Sequence, residues 1–204
     1  LYLPPRVAHY GVATDDQCMT YSVGFRAPRH QDLVGNFLQQ AMDTVGPDAR
    51  YSDPDLSPVD HPGEIHDDAR QTVRRLLRDL VRDDDAIDQW FGQYLTRPGR
   101  DREAVPPETP VTDDELTDML RAGHGLRPGP VSRLAFIEHD DGSVTLFANG
   151  SPIDLSPDRA YAARLVTGRQ QIPSDALTPH LEDDAFVDLL VALVNDGLLE
   201  WDAA

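Results

Sequence analysis

The chain has 204 residues, 40% of them apolar, and its 18 basic and 36 acidic residues give a net charge of −18. This length allows one or two domains with a buried core, and a single cysteine with 14 glycines and 17 prolines excludes a disulfide-stapled or collagen-like chain. The sequence shows no apolar run of about 18 residues and no leader pattern, so we expect a soluble, cytoplasmic protein without a membrane partner.

The excess of acidic over basic residues indicates which kinds of macromolecule the protein could bind. All 18 basic residues are Arg, and 29 of the 36 acidic residues are Asp. An acidic surface repels a phosphate backbone and attracts a basic protein, so we expect no DNA partner. The acids also fit a simply solvated surface or a high-salt cytoplasm, and composition does not choose between these.

Residues 1–28 are predicted to form strands. The apolar residues 1–3 have the pattern of a β-strand that begins before residue 1. We therefore expect the chain to be the C-terminal part of a longer protein. Two β-rich runs follow at 7–13 and 18–25, separated by a turn cluster at 14–17.

Residues 29–100 change to helical periodicity. Three apolar stripes carry the signal: Leu33, Phe37, Leu38 and Met42; Val73, Leu76, Leu77, Leu80 and Val81; and Ile87, Trp90, Phe91, Tyr94 and Leu95. So much apolar surface on a short segment favours packing on another domain or a second chain, with an ordinary core as the alternative. We expect a dimerisation region here.

A linker and an α+β unit complete the chain. Four prolines lie within 97–111, and we place the linker at 101–111. Residues 112–204 are expected to form a winged-helix-like domain, and their 17 acids against 6 Arg argue against DNA reading.

Local signals define the elements of this unit. Thr112 and Glu115 predict a capping box. Residues 140–142 and Asn149-Gly150 predict hairpin turns. Helices are expected from about residues 158, 174 and 183.

Signatures of several enzyme classes are absent: the sequence has no phosphate-binding glycine loop, no Gly-x-Ser-x-Gly, no His-Glu-x-x-His and no Cys-x-x-Cys. His9 is the one histidine in the strand-rich segment. A single imidazole on a barrel strand suits one ligand of a facial iron triad, and it equally suits a packed core histidine.

Two His-x-Asp patterns occur, at 66–68 and 139–141. The first lies at a predicted helix start, where the helix dipole favours Asp, and the second lies in a predicted hairpin turn. We expect both to be structural rather than metal-binding.

Residues 2–11 and 21–28 together resemble the end of a JmjC-type cupin. More narrowly, they are similar to bacterial ribosomal oxygenases that hydroxylate an arginine of a large-subunit ribosomal protein. Further stretches similar to that family are 51–55, 61–62, 89–92, 148–150 and 192–197. The resemblance therefore extends over essentially the whole chain.

The resemblance implies an α+β architecture in three parts. The end of a double-stranded β-helix (cupin/JmjC) barrel at 1–28 precedes a helical dimerisation region at 29–100. After the linker comes the winged-helix-like acidic domain at 112–204.

The resemblance also implies an oxygenase that uses Fe(II) and 2-oxoglutarate, with a large-subunit ribosomal protein as substrate and a homodimeric assembly. His9 would be the last iron ligand. The family's His-x-Asp pair and its main 2-oxoglutarate-binding Arg fall outside this chain, so we expect these 204 residues alone to be inactive.

Strand alternation places Thr20 and Ser22 on one face, with Cys18 and Gly24, and these small polar residues suit a barrel interior. They are candidates to line the 2-oxoglutarate or substrate pocket, with ordinary strand hydroxyls as the alternative. Arg26 would meet an acidic ligand or substrate, or pair with a protein carboxylate.

Two alternatives remain open at this point. One is a non-catalytic interaction module whose helices and acidic domain bind a basic protein. The other is a related oxygenase that acts on histidine rather than arginine.

Overall fold

A computed structural model of the chain describes residues 2–4, 7–19, 21, 27–52, 58, 60–99, 103–168 and 170–202. The chain divides into two units, Leu1–Thr44 and Val45–Ala204. The helices of the described residues are α1 (His30–Thr44), α2 (Asp67–Asp79), α3 (Asp84–Thr96), α4 (Asp113–Arg121), α5 (Ala160–Thr167), α6 (Ser174–Leu177) and α7 (Asp184–Asn195). The strands are β1 (Leu126–Pro128), β2 (Leu134–Glu138), β3 (Val144–Ala148), β4 (Ser151–Leu155) and β5 (Leu199–Trp201), and short 3₁₀ turns lie at Pro157–Arg159 and Thr178–His180.

Before α1 the structure describes only part of the predicted strand segment, and most of the predicted run at 18–25 lies outside the described residues. The turn at 14–17 is present, since the Cys18 amide donates to the Asp15 carbonyl at 3.3 Å and the Gln17 amide to Asp15 Oδ1 at 2.9 Å. The described residues among 1–28 form no strand. A strand needs a neighbour to accept and donate its backbone hydrogen bonds, and the described residues here have none, so the predicted barrel strands are not confirmed.

The three predicted helical stripes of 29–100 form α1, α2 and α3. On α1, Val34, Leu38 and Met42 are exposed, and on α2 Leu76 and Leu77 are exposed by 52% and 57%. The first and third stripes lie within their helices as predicted, whereas Leu80 and Val81 of the second stripe follow the end of α2. The apolar face of α2 is open to solvent within this chain.

The second unit contains two antiparallel sheets, β1–β5 and β2–β3–β4. Ala148 pairs with Ser151, which leaves a two-residue turn with φ of +47° at Asn149 and +90° at Gly150. Positive φ at both positions is the turn that matches strand twist, and Asn-Gly is its preferred sequence. The predicted second hairpin turn is confirmed.

Strand β3 is buried at every position and lies at the centre of its sheet. Because successive side chains of a strand point to opposite faces of the sheet, Leu146 and Ala148 both point into the main core. Side chains of α4, α5 and α7 form the rest of that core. The largest fully buried members of that core are Leu116, Leu120, Leu126, Leu146, Ile172, Leu177, Phe186, Leu190, Leu193 and Leu199. The capping box of α4 is also as predicted, with Glu115 N donating to Thr112 Oγ1 at 3.3 Å and Thr112 N donating to Glu115 Oε2 at 3.0 Å.

The opposite face of the same sheet is covered by α3. Phe147 points to this side, and its ring lies against Gly92, where a Cβ would overlap it. Thr96 Oγ1 accepts from the Gly150 amide at 3.0 Å, and Arg133 Nη1 donates to the Arg97 carbonyl at 3.1 Å. Helix α3 thus packs on the sheet of the C-terminal domain, whereas its periodicity alone predicted that it belongs with the preceding helices.

Residues 103–111 of the predicted linker lie against the end of α7. The Val111 amide donates to Asn195 Oδ1 at 2.7 Å, and Asn195 Nδ2 donates to the Val111 carbonyl at 3.0 Å. A Cβ at Gly197, where φ is +69°, would overlap the backbone of Val105. The predicted linker therefore packs against the C-terminal domain at Val105 and at Val111.

A bilayer-spanning helix is not found among the residues with described structure, because none of their helices is both long and apolar enough.

Candidate functional site

His9 is exposed in the first unit, and its Nδ1 lies 3.4 Å from the carbonyl oxygen of Val7. That contact is local and engages Nδ1 alone. The other predicted site residues, Thr20, Ser22 and Arg26, lie outside the described residues, so their roles stay predictions.

The first His-x-Asp pattern has the structural role predicted for it. His66 is the N-cap of α2: its Nδ1 accepts from the Asp68 amide at 3.4 Å and lies 3.2 Å from Asp68 Oδ2. Asp67 and Asp68 occupy the first turn of α2, where the helix dipole stabilises carboxylates.

The second pattern belongs to the β2–β3 turn, as predicted. The His139 amide donates to the Ser143 carbonyl at 2.9 Å and Gly142, with φ of +82°, completes the turn. Asp141 Oδ1 accepts from the Ser143 amide at 2.9 Å and from the Ser143 hydroxyl at 2.6 Å. These bonds to the Ser143 hydroxyl and amide hold the pKa of Asp141 below its ordinary value.

Iron in an oxygenase facial triad needs three protein ligands that converge. Among the residues whose structure is described, no three His, Cys, Asp or Glu side chains come together in a way that could hold a metal ion. His9 can supply one ligand, so the described residues do not by themselves fit the metal.

A chain of side-chain hydrogen bonds that local sequence patterns did not predict crosses the sheet from His139. Thr145 Oγ1 donates to Asp154 Oδ1 at 2.9 Å, and His139 Nε2 lies 2.9 Å from the same Oγ1. A hydroxyl has a single proton to donate, so while Thr145 donates to Asp154, its oxygen is left to accept from the ring nitrogen of His139 in the tautomer that carries a proton there. Thr145 and Asp154 are direct cross-strand partners; strand register was the signal that could have predicted their contact.

His139 also borders an open cleft of about 710 Å³ between the start of α3 and the β2–β3 turn. Its lining is rich in carboxylates: Asp83, Asp85, Asp88, Glu138, Asp140 and Asp141. Three of these six acids, Asp83, Glu138 and Asp141, have a local structural role. Asp83 Oδ1 accepts from the Ala86 amide at 3.1 Å as the cap of α3, and Glu138 pairs with Arg164 at 2.7 Å.

A second polar cluster ties α5 to the start of α7. Arg159 Nε donates to both carboxylate oxygens of Asp183, at 3.1 and 2.9 Å. These bonds from Arg159 hold the pKa of Asp183 below its ordinary value, while burial raises the pKa of Tyr161. The rings of Tyr161 and His180 stack at 4.1 Å. The cluster is satisfied internally and serves packing.

Two protein families match the chain. The family described as ROXA-like winged helix matches residues 75–200, and the family described as JmjC domain matches residues 1–33. The winged-helix match includes α3, in accord with the packing of that helix on the sheet.

One relative aligns along nearly the whole chain. Ribosomal protein uL16 3-hydroxylase of Escherichia coli (strain K12) is 32% identical over 197 residues, which are 97% of this chain and 51% of that protein. The chain thus spans about half the length of this relative.

Solved structures of a ribosomal oxygenase also match most of this chain and about half of their own length. The structure of YcfD, a ribosomal oxygenase from Escherichia coli, in complex with cobalt and succinic acid superposes with a TM-score of 0.71 at 29% identity, over 89% of this chain and 48% of that one. Its complex with cobalt and 2-oxoglutarate superposes with a TM-score of 0.70, at the same identity and coverage.

Proposed function

Since this chain belongs to the ROXA-like winged-helix family, we propose that the protein carrying it is an oxygenase dependent on Fe(II) and 2-oxoglutarate. Its substrate is an arginine side chain of a large-subunit ribosomal protein. The observation that carries the proposal is the order of the two matches, JmjC at 1–33 and winged helix at 75–200, in a chain that aligns along 97% of its length with a uL16 hydroxylase.

Within this chain, His9 is the proposed iron ligand. Its exposure and its single local contact leave an imidazole nitrogen available. When bound, iron and 2-oxoglutarate supply the oxidising chemistry, and the protein's part is to position the target carbon and exclude water. Thr20 and Ser22 are proposed to contact 2-oxoglutarate, and Arg26 to contact the substrate.

The charge of the chain supports a basic partner. The net charge of −18 creates a field that accelerates the approach of a cationic ribosomal protein, and this steering is expected to weaken as salt screens it. A ribosomal substrate places the proposed activity in the cytoplasm.

Homodimerisation through residues 29–100 is the second part of the proposal. The support is the open apolar face of α2, where Val73, Leu76 and Leu77 are each about half exposed. An apolar helix face of this kind is stabilised when a second copy covers it.

A non-catalytic module that binds a basic protein is the competing function. The observation that favours it is the charge of residues 112–204, whose 17 acids against 6 Arg suit a basic protein partner. Binding without turnover is what this alternative predicts.

The test uses the full-length protein with Fe(II), 2-oxoglutarate and ribosomal protein uL16 of the same organism. We expect a one-oxygen mass gain that fragmentation assigns to an arginine, with equimolar formation of succinate. The same gain on a histidine would keep the oxygenase and overturn the arginine target. Binding of uL16 with no mass gain in the presence of both cofactors would overturn the oxygenase in favour of the interaction module.

A further inference from the structure

We draw no further inference here: the strongest candidate, the acidic cleft between the start of α3 and the β2–β3 turn, is a cluster of carboxylates engaged in a helix cap, a turn and an ion pair, and nothing in the structure shows what ligand occupies it.

Discussion

Asn195, at the end of α7, satisfies both backbone polar groups of Val111, accepting from its amide at 2.7 Å and donating to its carbonyl at 3.0 Å. One side chain amide therefore replaces a β-strand partner for the residue that leads into α4. Both residues are only partly exposed, so water does not freely replace these bonds.

The first prediction concerns this pair. Asn195→Ala removes two hydrogen bonds and leaves a part-buried amide and carbonyl unpaired, so we expect a loss of about 1–3 kcal/mol in the free energy of unfolding. Urea denaturation of the full-length protein measures it. The matched control is Asp196→Ala at the neighbouring exposed position, where removing an acid from a helix C-terminus should leave stability unchanged or slightly raised. Equal stability of the two variants would contradict the proposed anchoring.

The second prediction tests the packing of α3 against the sheet. Ala is normally better than Gly inside a helix by about 0.5–1 kcal/mol, but at Gly92 the added Cβ overlaps the ring of Phe147. We expect Gly92→Ala to lower the free energy of unfolding by about 1–3 kcal/mol through overpacking. Chemical denaturation again gives the value.

Two further variants make that test specific. A Cβ added at Gly35 in α1 would meet no other atom within 4 Å, so Gly35→Ala should be neutral or stabilising. Adding Phe147→Leu to Gly92→Ala makes room for the new methyl group, and the double variant should recover part of the loss. If Gly92→Ala behaves like Gly35→Ala, the helix does not pack on Phe147 in solution.

Local signals in the sequence were sufficient to predict most helices and turns of the second unit. The capping box at Thr112 and Glu115 and the Asn149-Gly150 turn depend on residues close together in the chain, and the structure has both. The packing of Gly92 on Phe147 depends on a contact between distant segments, and periodicity alone could not show that a second face of the sheet is covered.

The candidate site was less predictable from the residues alone. The His66 and His139 patterns could be assigned to a helix start and a turn because those features are local. The contact of Thr145 with Asp154 and His139 requires the strand register. Alternation in residues 1–28 predicted strands, but a strand also needs neighbours, and the described residues in that segment have none.

The third prediction is a pH dependence. The bonds from Arg159 hold the pKa of Asp183 below its ordinary value of 3.8. A carboxyl with a lowered pKa in the folded state contributes stability that is present above the ordinary pKa and is lost as the pH falls through the lowered one. We therefore expect the melting temperature of the protein to fall as the pH drops below about 4.

Asp183→Asn isolates this contribution. The variant should be less stable than the parent near neutral pH, and its stability should fall less steeply in acid because the ionisable partner of Arg159 is gone. Asp184→Asn removes the neighbouring carboxylate, which has no ion pair with Arg159 among the described contacts, and should keep the slope of the parent. Thermal unfolding from about pH 7 to about pH 3 makes the comparison; an unchanged slope in Asp183→Asn would rule out the ion pair as its cause.

The fourth prediction concerns the proposed homodimer. Leu77 is 57% exposed on α2, and burying such a side chain stabilises an interface by about 1.5–3 kcal/mol. Covering the exposed part of this side chain contributes about half of that value, and in a symmetric dimer the substitution Leu77→Ser acts twice. The dissociation constant should therefore rise by roughly tenfold to a few hundredfold. Light scattering and sedimentation of the full-length protein over a range of concentrations measure this change.

Arg75→Ser is the control for α2. It introduces the same residue at an exposed position on the other side of the helix, because residues two apart do not share a face. Its dimer should stay intact. A full-length protein that is monomeric at micromolar concentration would overturn the proposal, and so would equal weakening by both variants.

The fifth prediction is that His9 binds the metal in the full-length protein. Even the outer-shell partners of metal ligands are worth about 10–100-fold in affinity or activity, so losing a ligand in His9→Ala should lower both Co(II) affinity and turnover by more than about 100-fold. Titration with Co(II), followed by its visible absorption, reports binding separately from activity. His124→Ala, which removes an exposed imidazole just after α4, should change neither. A His9→Ala variant with the Co(II) affinity of the parent would show that this imidazole is not a ligand, whatever happens to turnover.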